Sequence, residues 1–294
     1  NSNLQYELQG DRLSGAVLDA DTGEFRWNPT EAQAGSYDCY VIVTDGTTLS
    51  SVNLKILVGT DRTDAIERLC KEIDFEKDYL SVTMEDFEQA KEEMLALLES
   101  ASSETYYTAM EKLIDTAEAL EELNPLLADG SLNFPIMLAS TSLDTGKAEC
   151  LVDNNSVTFS GDLTMKYFTI DFGSLYRVKV SSFAIQPRNI WPARMAGCVI
   201  LGSNDGEVWD KLTEESPYSN YLEKLEVKEE YRENAYRYFK VSSLSSDSSS
   251  KYAARESILS VGELRIYGVR QEIGTTKIRE VSIWADTEPL TNHI

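Results

Sequence analysis

Residues 201–212, LGSNDGEVWDKL, place four turn formers, Ser203 to Gly206, between apolar flanks. The flanks predict two short strands, and Asn204-Asp205-Gly206 predicts the tight turn that joins them. The surroundings keep the same texture. KYFTIDFGSLYRVKVSSFAIQ (166–186) alternates apolar and polar positions on either side of Asp171-Phe172-Gly173, and YRYFKVSSL (236–244) and ILSVGELRIYGVR (258–270) follow. Many short alternating runs joined by long connections predict an all-β sandwich over residues 131–270. Within it, Ser242 to Ser250 is a serine-rich loop.

Upstream the period changes twice. Residues 1–59 alternate with period two: Tyr37, Cys39, Val41 and Val43 share one parity, as do Val52, Leu54, Ile56 and Val58. Turn signals fall at Asp21-Thr22-Gly23 and Asp45-Gly46-Thr47. The run TGEFRWNPTEAQAGSYDCYVIVTDG (22–46) resembles the immunoglobulin-like repeats of bacterial surface proteins. That resemblance implies a β-sandwich, truncated here because such a fold takes roughly 100 residues, and a spacer role.

Residues 60–130 switch to helical spacing. Ile66, Leu69, Cys70 and Ile73 form one apolar stripe, Phe87, Ala90, Met94, Leu97 and Leu98 a second, and Tyr106, Met110, Leu113, Ala117 and Leu120 a third. Thr83 to Asp86 reads as a capping box opening the second helix, and Pro125 follows the third. The expectation is a small three-helix bundle. With Tyr79 ahead of the second helix, and Lys112, Leu113, Thr116 and Ala117 in the third, it is similar to the FIVAR-type bundles between modules of large bacterial surface proteins. Residues 271–294 alternate again at Ile278, Val281 and Ile283, as a tail or the start of a further module.

The chain carries 50 acidic and 27 basic residues, a net charge of −23. Residues 61–128 supply −13 of it, with 19 acids against 6 bases, which reads as a solvated helical face. A field of this sign repels nucleic acid and anionic membrane, and leaves neutral ligands and cations. No run is long enough for a membrane span, and the first residues, NSNLQYELQG, hold neither a basic region nor an apolar stretch. The chain reads as an excerpt of a longer multimodular protein, monomeric, and secreted or attached to a cell wall. Its four cysteines (39, 70, 150, 198) lack zinc spacing and read as buried thiols, with a Cys150–Cys198 bridge as the alternative. The single histidine, His293, leaves little for histidine-based catalysis or metal binding.

Four landmarks of the last segment arrive in order: VDNNSVTF (152–159), FTIDFG (168–173), LGSNDGEVW (201–209) and VGELRIYG (261–268). Together they resemble the discoidin or coagulation-factor C-type domain, also known as carbohydrate-binding module family 32. The resemblance implies a galactose-binding-like β-sandwich, or jelly roll, that binds glycans without catalysis. It also implies a structural calcium ion in a loop of the form Asp-Gly-Asn-x-x-Thr, completed by a distant Glu. Carried over position by position, the ligands are Asp153, Asn155, Thr158 and Glu263, with the carbonyls of Cys150 and Gly262. Calcium wants six to eight oxygens of this mixed kind. Asn154 stands where the family has Gly, and Asn tolerates the left-handed backbone such a loop needs. A hydrogen-bonded turn without metal is the alternative.

Sugar sites in such folds lie on loops at one end of the sandwich, where an aromatic ring stacks on the sugar and polar side chains bond its hydroxyls. QPRNIWPARMAG (186–197) offers Trp191, Arg188, Arg194 and Asn189 in a proline-punctuated loop. Phe159 and Trp209 read as core. Catalytic readings are weaker. Asp-Thr-Gly occurs at 21–23 and at 144–146, but in segments of different texture, whereas an aspartic protease needs both carboxylates in one cleft. A glycosidase carboxylate pair would need a barrel for which spacers and a sandwich leave no room. The leading expectation is therefore a non-catalytic module for a neutral, galactose-type glycan, carried on a larger glycan-active protein. The alternative is a protein-adhesion or architectural segment.

Overall fold

The computed structural model describes residues 4–99, 102–143, 148–160, 165–189, 191–243 and 259–274. The second Asp-Thr-Gly, the serine-rich stretch from residue 244 onward, and Ile278, Val281, Ile283 and His293 lie outside the described residues. The chain divides into two compact units, Asn1–Glu122 and Leu123–Ile294.

In the first unit, strands β1 (Gln5–Gly10), β2 (Val17–Leu18), β3 (Phe25–Arg26), β4 (Gly35–Thr44) and β5 (Leu49–Val58) precede three helices. β1, β4 and β5 form one antiparallel sheet, and β2 and β3 a separate ribbon. Pairing of Tyr37 with Ile56, Cys39 with Leu54 and Val41 with Val52 brings the two same-parity sets onto one face. The β4–β5 turn is built by Asp45, whose Oδ1 accepts the N–H groups of Thr47 and Thr48 at 2.9 and 2.7 Å.

Helices α1 (Arg62–Glu72), α2 (Ser81–Leu97) and α3 (Ser103–Glu118) pack around Ile66, Leu69, Phe87, Ala90, Met94, Tyr106, Met110 and Leu113. The 3.6-residue stripes therefore supply this core and, through Cys70, Ile73, Leu98, Ala117 and Leu120, its margin, while Leu97 is half-buried outside it. Asp61 caps α1 and Ser102 caps α3, each accepting a backbone N–H of the first turn. The expected capping box at Thr83 does not form. α2 starts at Ser81, and the Thr83 hydroxyl donates to the carbonyl of Leu80 at 3.0 Å. Leu80 N–H in turn bonds the carbonyl of Glu121, so the chain after α3 fixes where α2 begins. Leu57 of β5 packs against the helical core, and Lys55 and Glu72 form an ion pair. The strand segment and the helices thus share packing across residue 60.

The second unit is a two-sheet sandwich. Its strands are β6 (Ser140–Thr141), β7 (Tyr167–Asp171), β8 (Tyr176–Pro187), β9 (Cys198–Ser203), β10 (Asp210–Lys211), β11 (Glu223–Glu226), β12 (Ala235–Tyr236), β13 (Tyr238–Ser243) and β14 (Val261–Glu272). One sheet runs β10-β9-β13-β7-β6. In the other, β11 and β12 share one edge of β8 while β14 follows the other edge. Phe239 sits centrally in the core, edge-on to Phe172, Phe183 and Tyr236 at centroid distances of 5.9, 5.7 and 6.2 Å.

Along β8 the core positions change parity, from Val178 and Val180 to Phe183 and Ile185. A register shift against β14 between Tyr267 and Gly268 skips Ser181 and accounts for the switch. Gly268 permits it, since a Cβ there would lie 2.4 Å from the Lys179 carbonyl oxygen. No helix among the described residues is long and apolar enough to cross a membrane. The four cysteines, all among the described residues, form no disulfide, so the Cys150–Cys198 bridge is not made. Cys39 and Cys198 are buried, and Cys70 and Cys150 half-buried. Burial pushes the Cys198 thiol far above its ordinary value.

Candidate functional site

The opening hairpin joins β9 to β10, with Leu201 opposite Lys211 and Gly202 opposite Asp210. Its connection is wider than the tight turn expected. Asp205 Oδ1 accepts N–H groups from Glu207 and Val208 at 2.8 and 2.9 Å, which holds a six-residue loop, 204–209, and lowers the Asp205 pKa. Trp209 is half-buried, not core: its indole N–H donates to the Gly206 carbonyl and the Lys240 ammonium lies 3.6 Å from its ring centroid.

Three segments of the second unit meet at β8's C-terminal end: the loop 148–160, the loop 187–197 and the start of β14. Backbone bonds knit them. Asn189 N–H donates to Ser156 O at 2.8 Å, Arg188 N–H to Ser260 O at 3.2 Å, Ser260 N–H to Arg194 O at 3.2 Å, and Ser160 bridges Val261. At Gly262 the approach is close enough that a Cβ would sit 2.8 Å from Pro187 O and 3.1 Å from Ser156 Cα.

The loop 187–197 is anchored from below. Pro192 is buried, and Met195, fully buried, belongs to the sandwich core. Above these anchors Trp191 is 42% exposed. Arg194 lies over its ring at 4.1 Å, and Arg188 lies over the Phe159 ring at 3.8 Å. Asn189 is exposed beside them. The structure therefore brings all four of the expected ligand-binding residues onto one anchored loop, with one face of the indole steadied by a guanidinium. Phe159 is half-buried under Arg188 and not part of the sandwich core.

The expected metal-binding residues also converge. Asn155 N–H and the Thr158 hydroxyl donate to the two carboxylate oxygens of Asp153, at 2.9 and 2.7 Å. Thr158 Oγ1 also lies 2.5 Å from the Asn155 carbonyl. Asn154 adopts φ 59°, the one non-glycine left-handed residue among those described. Glu263 is only 3% exposed. Its Oε2 accepts from Arg265 Nη1 at 2.8 Å, while its Oε1 is buried and makes no well-aligned hydrogen bond. Burial raises the Glu263 pKa; Arg265 and the nearby Asn155 N–H oppose the rise, and Asp153 is close enough to add to it.

A buried carboxylate oxygen without a well-aligned donor, beside a second carboxylate, is an arrangement a cation satisfies. Among the described residues no three His, Cys, Asp or Glu form a metal cluster. The donors here are two carboxylates with amide, hydroxyl and carbonyl oxygens, a set that fits calcium and not a transition metal. Cys150 lies in the short turn Glu149–Leu151 and Gly262 beside Ser156, both bordering this loop.

Comparison with known proteins adds two findings. Residues 2–59 match the model of a family described as "Putative Ig domain". Among solved structures, the chain is similar to CBM62 from Clostridium thermocellum Xyl5A, at 19% identity over 45% of this chain and 94% of that one, with a TM-score of 0.35. It is also similar to a fucose binding module of Streptococcus pneumoniae, at 18% identity, 48% and 97% coverage and a TM-score of 0.35. A third is the family 32 CBM of C. perfringens NanJ in complex with galactose, at 18%, 45% and 91%, with a TM-score of 0.30. No curated protein matches the chain.

Proposed function

We propose that the second unit is a non-catalytic glycan-binding module whose site is the loop 187–197. The observation that carries this reading is Trp191: a large aromatic ring, 42% exposed, on a loop pinned by buried Pro192 and Met195. An unused indole in a soluble protein leaves apolar surface in water. A sugar ring stacked on it removes that surface, while Arg188, Arg194 and Asn189 supply donors for hydroxyls. A galactose-type, neutral ligand suits these donors and the chain's net charge of −23.

In this reading Asp153, Asn155, Thr158 and Glu263, with the carbonyls of Cys150 and Gly262, hold a structural calcium ion. Calcium supplies charge and coordination and no chemistry of its own. Binding only the folded state, it raises the melting temperature, by the equivalent of about 2.7 kcal/mol at a hundredfold excess over Kd. Melting of the full chain in calcium and in chelator checks this. Equal midpoints for the wild type, or a calcium effect that persists undiminished in Asp153→Ala, contradict it.

The first unit serves as a spacer, its helices of FIVAR type, within a secreted or wall-attached multimodular protein. A glycan array tests the functional reading: binding to galactose-terminated glycans is expected. A blank array, with protein partners captured instead, returns the chain to an adhesive or architectural role.

A further inference from the structure

Among the described residues of the second unit, Arg265 is the most deeply placed cation, 2% exposed, in the middle of β14. Its guanidinium reaches four residues on three pieces of chain. Nε donates to Asp129 Oδ2 at 2.9 Å, and Nη1 to Leu151 O and Glu263 Oε2, both at 2.8 Å. Nη2 donates to Asn154 Oδ1 at 2.7 Å. Leu151 enters the loop that carries Asp153, Asn154 is its left-handed tip, and Glu263 is the carboxylate brought from β14. One planar fork thus holds the entrance, the tip and the distant ligand in fixed relation.

This bears on the departure at residue 154. Glycine adopts φ 59° without cost, so the side chain there is not explained by backbone conformation. Its amide oxygen is explained: it gives the buried guanidinium an acceptor and ties the tip of the loop to the protein interior. We infer that Asn154 and Arg265 form a latch that presets the loop for calcium, with Asn154 as a positioning residue that touches no metal. The inference rests on the calcium reading above. A loop already held in its bound shape loses less conformational freedom when the ion arrives, so the latch strengthens binding. Asn154→Gly removes the latch while keeping the backbone at ease. Asn154→Asp keeps both the left-handed tolerance and an acceptor for Arg265.

Calorimetric titration of the metal-free full chain with calcium chloride decides it, with melting in chelator to establish that each variant folds. Asn154→Gly is expected to weaken calcium binding about tenfold or more, and Asn154→Asp to stay within about threefold of wild type or bind tighter. A residue that merely stabilises the fold would lower the chelator midpoint and leave the calcium Kd in place. Wild-type calcium binding with Asn154→Gly equal to or tighter than wild type overturns the latch alone. No calcium uptake by wild type overturns the metal reading and the latch with it.

Discussion

Arg237 grips Asp171 through two hydrogen bonds, Nε to Oδ1 at 2.7 Å and Nη2 to Oδ2 at 2.8 Å, and Asp171 also accepts the Gly173 N–H. Burial alone would raise the Asp171 carboxyl. The Arg237 bonds and the Gly173 N–H outweigh it and hold the pKa below its ordinary 3.8. A depressed folded pKa contributes stability above the unfolded value that is lost as pH falls through the folded one. Asp171→Asn is therefore expected to cost about 1–3 kcal/mol at pH 7 by denaturant unfolding, with the gap to wild type closing below pH 3.8. A gap independent of pH contradicts the pairing. Arg265 and Glu263 show what alternation in sequence does not carry. Both have the outward parity of β14, opposite to Leu264 and Ile266, yet both are buried, because the loop containing Leu151 covers that face. Period two tells which residues share a face. It does not tell what lies on the face. The contacts among Asp153, Asn155 and Thr158 were legible from spacing and resemblance; the guanidinium buried beside them was not.

At the scale of elements, the strands of the second unit follow the alternating runs closely, since a half-buried strand leaves a direct imprint on sequence. The bulge at Ser181 left no such imprint. It depends on the β14 backbone opposite, 86 residues away in the Ser181–Tyr267 hydrogen bond. Gly268→Ala should reveal it, because the added methyl meets the Lys179 carbonyl in a strand and not a flexible side chain. A loss of at least about 2 kcal/mol is expected in denaturant unfolding; a loss under about 0.5 kcal/mol, the scale of ordinary surface changes, contradicts the close approach. The helix starts divide in the same way. Asp61 and Ser102 cap through their own neighbours, whereas α2 is set by Glu121, beyond the reach of a local signal. The width of the 204–209 loop likewise comes from Asp205 reaching forward to Glu207 and Val208, a choice its turn-forming composition leaves open.

At the scale of the molecule, the division falls between Glu122 and Leu123, and Leu57 and Lys55 join the strand segment to the helices within the first unit. Limited proteolysis is expected to release residues 1–122 as one piece; an early cut near residue 60 separating strands from helices contradicts shared packing there. The changes of period were legible near residues 60 and 130, but a change of period marks a change of element and not the surface across which packing stops. In the second unit Trp191 presents a ring, with three polar side chains beside it, at the end of a sandwich. Titrating the full chain, wild type and Trp191→Ala, with galactose and galactose-bearing polysaccharides, and melting both proteins to confirm folding, tests whether that ring binds sugar. Shallow sites of this kind bind with Kd of about 0.1–1 mM, or about −4 to −5.5 kcal/mol. Such binding is expected for wild type, and none detectable for a folded Trp191→Ala. Equal binding by the two proteins would make Trp191 a packing residue and not a sugar platform.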